Sequence, residues 1–458
     1  MKFKNLKIAY IGGGSRGWAW GLMSDLAKEA EICGEVALYD IDPEAAKHNE
    51  IIGNKIKDLP ECKSPWVYKA YENRSEALKG ADFVIISILP GTFDEMESDV
   101  HAPEKYGIYQ SVGDTSGPGG IIRALRTIPM YEDIALAIKE NCPKAWVINY
   151  TNPMTVCTRT LYKAFPEIKA FGCCHEVFGT QKFLVNILSE ELGIEGAKRP
   201  DIKVNVLGVN HFTWLTSAQY KDIDIFPVYK KFCEKYAEDG YKKKSDENWM
   251  NNSFLSEEKV KMDLFRKFGY IAAAGDRHLA EFCSKKWYLD SPERVEEMHF
   301  GLTTVAYRKD DLKKRLDRSA RLMSGEEKFI LNETGEDGVK QIKALLGLGD
   351  LITNVNMPNR GQIPNLPFDA VVETNAVFRD DSVAPLYAGN VPAEIYPLIS
   401  RISAEQEIIA EAGRKRDLSL AYAAFVSDPL VDITFKESKA LFDEMIENTK
   451  EYLKEYKC

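Results

Sequence analysis

No stretch of the chain approaches the roughly 18 consecutive apolar residues that a membrane-spanning helix needs, so none is expected. The N-terminal MKFKNLKIAYIGGG also lacks a long apolar region and a small-residue cleavage site, running straight into a strand and a glycine turn. That argues against a signal peptide and for a cytoplasmic protein. Basic residues are not in excess: 60 Lys and Arg face 70 Asp and Glu, a formal net charge of -10. Nucleic acid and anionic membrane surfaces are therefore excluded as partners, and an anionic small molecule would have to meet a local positive cluster. Nine cysteines, odd in number and irregularly spaced, make no disulfide framework, which leaves reduced thiols and an available thiolate ligand. Repeats and low-complexity linkers are missing too.

What is present is an ordinary globular composition, 45% hydrophobic and 28% charged, in 458 residues. That length exceeds one compact core and predicts two domains. The first 200 residues alternate β-branched runs with amphipathic stretches, placing strands at KIAYIG, EVALYD, ADFVIISI, AWVINY and IKAFGC. A helix is expected around Met130 to Glu140. This is the pattern of a doubly wound parallel α/β sheet, a Rossmann-like domain over 1–200. From 201 to 458 the pattern becomes mixed α+β. VNVLGVNHFTWLTSAQY and DIDIFP read as extended, DDLKKRLDRSARLMSGEEK as a solvated helix, and the last thirty residues as a closing amphipathic helix. A ligand is expected in a cleft between the two halves.

Gly12, Gly14 and Gly17 satisfy G-x-G-x-x-G directly after the strand KIAYI and before a helical stretch. The first glycine permits a tight turn, the second lets the backbone approach a pyrophosphate, and the following helix start offers free N–H groups to it. Asp40 ends the second strand 23 residues after Gly17, where a carboxylate can bond both ribose hydroxyls and favour NAD. Ser15 and Arg16 complete the turn, and Arg16 leaves NADP open.

A second signal is GCCHEV, residues 172–177, which closes the strand-like run IKAFGC. Cys174 is thereby expected at a strand's C-terminal end, where doubly wound sheets gather ligands. His211, in GVNHFTW, closes another extended run, and the pair could supply two ligands to one ion while leaving positions for substrate oxygens.

Taken with IGGGSRGW, ADFVIISI, GPGGIIRALRTIP from Gly117, TNP at 151–153, Asn210-His211 and NRGQIPNLPFDAVVE from Asn359, these segments resemble glycoside hydrolase family 4. Its members are NAD- and metal-dependent glycosidases, with second halves similar to those of lactate and malate dehydrogenases. The Cys-His-Glu-Val stretch resembles the α-galacturonidase group. The resemblance implies NAD-dependent oxidation at the sugar C3, deprotonation at C2, elimination at C1, water addition and re-reduction, with Mn(II) on the C2 and C3 oxygens. It implies Cys174 and His211 as metal ligands, although softness alone would suggest zinc for that pair. His175 would assist the leaving oxygen. Asp276, or else Tyr270, would be the C2 base, Asp114 would raise its basicity, and Asn152 would bind substrate. It also implies a homo-oligomer. The segment Gly91 to Glu104 holds no Lys or Arg, which disfavours a 6-phospho-sugar. A uronic acid needs a cation, and Arg123, Arg277 and Arg360 are candidates. The alternatives are α-glucuronides or neutral α-galactosides by the same chemistry, or a hydroxy-acid dehydrogenase.

Overall fold

The computed structural model describes residues 2–242, 256–332 and 334–457. Six strands run parallel: β1 (Phe3–Ile11), β2 (Ile32–Tyr39), β3 (Val67–Tyr71), β4 (Phe83–Ile86), β5 (Trp146–Asn149) and β6 (Lys169–Gly172). Their order, β3-β2-β1-β4-β5-β6, is that of dinucleotide-binding sheets. Alternate residues of each strand enter different cores. Ile8, Tyr10, Phe83, Ile85 and Ile148 pack on one face, and Ala9, Ile11, Val84, Ile86 and Val147 on the other. A sheet covered on both faces needs such uninterrupted apolar strands, which is why these runs were legible in the sequence. The expectation of five strands missed β3, a short edge strand with exposed Val67 and Lys69.

The helices of this half are α1 (Trp18–Lys28), α2 (Pro43–Ile56), α3 (Arg74–Leu78), α4 (Phe93–His101), α5 (Gly117–Asn141), α6 (Met154–Ala164) and α7 (Glu176–Leu192). Helix α5 starts 13 residues before the expected Met130, running on through Pro129. Its glycine-rich first turn is held by side chains from outside. Asp428 accepts from the Gly117 N–H (2.8 Å) and Gln110 from that of Gly119 (2.8 Å). The segment from Gly91 is mostly helix α4, opened by a capping box between Thr92 and Glu95.

Strands β7 (Ile202–Val209), β8 (Phe212–Tyr220), β9 (Ile223–Asp224) and β10 (Ile271–Ala272) form a second, antiparallel sheet. DIDIFP is extended only at β9, because the Asp224 side chain accepts from the Phe226 N–H and starts a helix over Ile225–Tyr236. Three strands from the C-terminal half, β11 (Leu351–Pro358), β12 (Val371–Arg379) and β13 (Ser382–Pro385), join the first sheet beyond β6 as an antiparallel meander. One sheet therefore draws strands from both sides of residue 200. The charged helix Val305–Ser324 buries only Val305, Ser319 and Leu322, yet it lies against the glycine turn, where Arg315 donates to the Arg16 carbonyl (3.0 Å). The chain closes with the helix Phe435–Asn448 and a short 3-10 turn. Among the described residues no helix is long and apolar enough to cross a membrane.

Candidate active site

The turn after β1 is shaped by what its glycines exclude. Gly12 has φ +91°, and a Cβ there would stand 2.0 Å from the Ser87 carbonyl oxygen. A Cβ on Gly14 would meet Ala45 and the Asp40 carboxylate. The amides of Gly12 and Gly13 both donate to Tyr39 O (2.9 Å each), and that of Ser15 donates to Gly12 O. Asp40 stands at the end of β2 as expected and accepts from the N–H groups of Gly14 (2.9 Å) and Asp42 (3.0 Å). Asn49 of α2 went unread in the sequence: it donates to the carbonyls of Gly13 (2.7 Å) and Ser15 (2.9 Å) and is itself fixed by the Trp20 indole. Nothing in its local sequence marks it, since the contact spans 34 residues or more. Gly17 precedes α1, whose first turn has no acidic residue and no side-chain cap. Its free N–H groups suit a phosphate, so the turn fits a dinucleotide. The Arg16 Nε is buried without a hydrogen-bond partner among the described residues.

Beyond the C-terminal ends of β5 and β6, Asp114, His211 and His278 bring ligand atoms within 4.8 Å of one another. His211 turns between β7 and β8 at φ +63°, and its ring lies 3.7 Å from that of His278, centroid to centroid. Thr115 sets the tautomer. Its hydroxyl donates to Asp114 Oδ1 (2.7 Å), so at 3.0 Å it must accept from His211 Nδ1–H, which leaves His211 Nε2 as a bare lone pair. Burial first, and His278 next, lower His211 to about 3, so the ring is neutral. His278 is lowered too, again chiefly by burial, and its Nδ1 is buried without a hydrogen-bond partner among the described residues. Burial opposes the charge of Asp114, but Arg123, His278, His211 and Arg308 hold it well below the carboxylate range. Two neutral imidazoles and an ionised carboxylate fit a divalent cation, and they are a harder donor set than the Cys-His pair expected from sequence.

Cys174 is not a member of that cluster. Its buried thiol is pushed well up by burial and by Glu373 and Glu176, with Asn210, the neighbour of His211, as a side-chain partner. Glu373 is itself buried, accepts from Asn354 (2.5 Å) and Asn210 (3.2 Å), and is raised to about 7, mainly by burial. Glu176 links the two groups. Burial would raise it, but His278, His175 and His211, with the Gly275 N–H (2.6 Å), bring it to about 2.

His175 is half exposed, with Nδ1 2.8 Å from Glu336 and Nε2 3.8 Å from Glu176. Burial disfavours its charge, but Glu336 and then Glu176 outweigh that and raise it to about 9. Asn152 reaches Asp114 Oδ2 (3.4 Å), and its own Oδ1 is buried without a hydrogen-bond partner among the described residues. Arg123 donates to the Asn152 carbonyl (3.1 Å). Arg277 donates to Thr303 (2.5 Å), and Arg308, unread in the sequence, binds the Val112 carbonyl (3.0 Å) on the approach to Asp114.

Three expectations fare differently. Asp276 is fully buried and spends its carboxylate on the N–H groups of Val260 (3.3 Å) and Lys261 (3.1 Å), at the start of another helix. A carboxylate so placed caps that helix. Tyr270 packs against the large apolar core of the second half. Arg360 is exposed, paired with Asp369 (2.8 Å), and lines a cavity of about 420 Å³ with Tyr162 and Tyr387. Because β11 runs antiparallel to β6 with Asn356 opposite Gly172, the chain past Pro358 heads for the other end of the sheet, away from the cluster.

A sequence model of the family 4 glycosyl hydrolases matches residues 7–190, and one of that family's C-terminal domain matches 206–431. The alpha-galacturonidase of Thermoanaerobacterium saccharolyticum is 65% identical over 456 residues, 100% of this chain and 98% of that protein. The crystal structure of lplD from Bacillus subtilis superposes with a TM-score of 0.91 at 51% identity, covering 96% of this chain and 100% of that one. A 6-phospho-alpha-glucosidase from gut microorganisms, solved with NAD and Mn2+, shares the fold (TM-score 0.81, 19% identity, 98% and 99% covered).

Proposed function

The chain belongs to glycosyl hydrolase family 4, and from that premise we propose that it hydrolyses α-galacturonides with NAD and Mn(II) as cofactors. The reading is carried by the end-to-end 65% identity with an alpha-galacturonidase. When bound, NAD would supply a reversible hydride acceptor for the sugar C3, and the divalent ion would stabilise negative charge after loss of the C2 proton. The turn Gly12–Gly17, Asp40 and Asn49 would hold the nucleotide. His211 through Nε2, His278 and Asp114 would hold the ion, with the Cys174 thiol beside Asn210.

Three further roles, substrate binding, protonation of the departing oxygen and recognition of the carboxylate, belong to groups already in place. Asn152 offers its side-chain Oδ1, without a hydrogen-bond partner among the described residues, to a sugar hydroxyl. His175, cationic near neutral pH, can give a proton to the departing oxygen. Arg277, with Arg308 sharing Thr303, is the cation for the uronate carboxylate. Asp99 of α4 and Arg126 form a buried bidentate pair, so this arginine is already engaged by a carboxylate. The enzyme is read as a cytoplasmic homo-oligomer.

The test is hydrolysis of an aryl α-galacturonide by protein stripped of metal and nucleotide, with NAD, Mn(II) and a thiol reductant restored singly and together. Turnover only with both cofactors, and no net NADH, is expected. Stoichiometric NADH release would instead make the protein a dehydrogenase. The same cofactor dependence on an α-glucuronide or α-galactoside alone would overturn the substrate.

A further inference from the structure

Glu336 lies far from every motif that points to the reaction, on the segment after the charged helix Val305–Ser324. Its carboxylate nevertheless meets His175 Nδ1 at 2.8 Å. The contact spans 161 positions of sequence, and each side is anchored independently. His175 stands between the end of β6 and the start of α7, with Trp18 of α1 beside it, ring centroids 6.0 Å apart. The segment carrying Glu336 is tied to α1 of the nucleotide half, where Ser24 donates to the Asn332 carbonyl (2.6 Å) and Asp25 binds both the amide and the hydroxyl of Thr334. The Thr334 hydroxyl then accepts from the Glu336 N–H (3.0 Å). On the other side Asp337, buried, holds Arg199 (2.8 Å) and Thr353 (3.0 Å). Glu336 is thus clamped between two fixed neighbours, its side chain 15% exposed and that of His175 50%.

We infer that Glu336 is a positioning residue for His175: by accepting from Nδ1–H it fixes the ring's orientation and turns Nε2 toward the side of Glu176 and the metal cluster. A carboxylate on one imidazole nitrogen determines which nitrogen is left to work, as in other carboxylate–histidine pairs. The inference rests on the reading of His175 as the group beside the leaving oxygen. The proton then passes from His175 Nε2 to the glycosidic oxygen as the C1–O bond breaks, its electrons going to that oxygen and the pair freed at C2 forming the C1–C2 double bond, while Glu336 keeps its hydrogen bond to Nδ1. Because α1 opens at the glycine turn and also tethers Thr334, the nucleotide-binding helix and the leaving-group histidine share one scaffold.

The experiment measures kcat and KM for Glu336→Ala, Glu336→Gln, Glu336→Asp and His175→Ala on two substrates, a 4-nitrophenyl α-galacturonide and an α-linked digalacturonide. The first has a leaving group that departs without a proton, and the second does not. Glu336→Ala is expected to lower kcat on the digalacturonide by about 10- to 100-fold, the usual cost of a lost outer partner. It should act far less on the aryl substrate and leave the NAD requirement unchanged. Glu336→Gln and Glu336→Asp, which keep an acceptor, should recover part of the loss. In a His175→Ala background Glu336→Ala should add nothing. Equal losses on both substrates, or a loss that adds to that of His175→Ala, would overturn the inference by showing a merely structural role. Full digalacturonide activity in His175→Ala would instead overturn the reading of His175, and the two failures are distinguishable.

Discussion

The chemistry of the cluster depends on one hydroxyl. Thr115 can donate only once, and its proton goes to Asp114, so His211 is left with Nε2 as its lone pair. His278 adds a second imidazole that burial keeps neutral and whose Nδ1 has no hydrogen-bond partner among the described residues. A cation coordinated there would satisfy that orphan nitrogen. His278→Ala is therefore expected to weaken Mn(II) binding by more than the roughly 10- to 100-fold typical of an outer-shell partner, with NAD affinity unchanged. Isothermal titration of each cofactor into stripped protein measures this. Unaltered Mn(II) affinity would remove His278 from the ligand set. Cys174→Ala in the same assay shows whether the thiol, outside the three-residue cluster, contributes to the site.

At the scale of elements, α5 carries Arg123 to Asn152 and follows directly from Asp114 and Thr115, so its first turn positions the site. That turn hangs on Asp428, which accepts from Gly117 (2.8 Å) and Leu430 (2.7 Å) and is paired with Glu405 of the helix Tyr396–Lys415. Burial raises both carboxyls, and the charge of Asp428 raises Glu405 further. The folded pair keeps a proton that the unfolded chain releases above about pH 4. Its contribution to stability is accordingly complete at low pH and declines as pH rises beyond that value. Glu405→Gln, whose amide can donate to Asp428 at any pH, should melt with a smaller drop in Tm between pH 5 and pH 8 than the wild type. Identical drops in the two proteins would mean that the pair is not protonated.

For the whole molecule, the decisive feature is that the first sheet does not end at β6. Phe171 of β6 is fully buried and meets Phe378 of β12 edge-to-face at 5.1 Å. Asp381, at the turn into β13, binds the Trp146 indole (2.8 Å) and Lys169 (2.6 Å). Leu322, Ile342, Val355, Ala376 and Phe378, all from the second half, complete the apolar face that begins with Ile8 and Tyr10. A fragment of residues 1–200 would expose this face together with an unpaired strand edge. It is expected to aggregate or to melt without a cooperative transition, as followed by circular dichroism, whereas a sharp, reversible melt would show that it folds alone.

The sequence by itself determined the class of fold and the nucleotide turn, because both follow from local rules. Buried parallel strands must be continuous apolar runs, and a pyrophosphate turn must have glycines where a Cβ would collide. It also determined the family, through segments whose order and spacing survive along the chain. Only the tertiary structure decided which side chains meet. The pairing of His211 with Asp114 and His278, the hold of Glu336 on His175, and the clasp of Asn49 on the glycine turn join residues 34 to 161 positions or so apart, and no local pattern encodes them. For the same reason the surroundings of Asp276 and Arg360 could not be read from sequence. Each lies in a motif that resembles the family's, but the direction of a side chain is set by the packing around it, which turns Asp276 into a helix cap and carries Arg360 to the far end of the sheet.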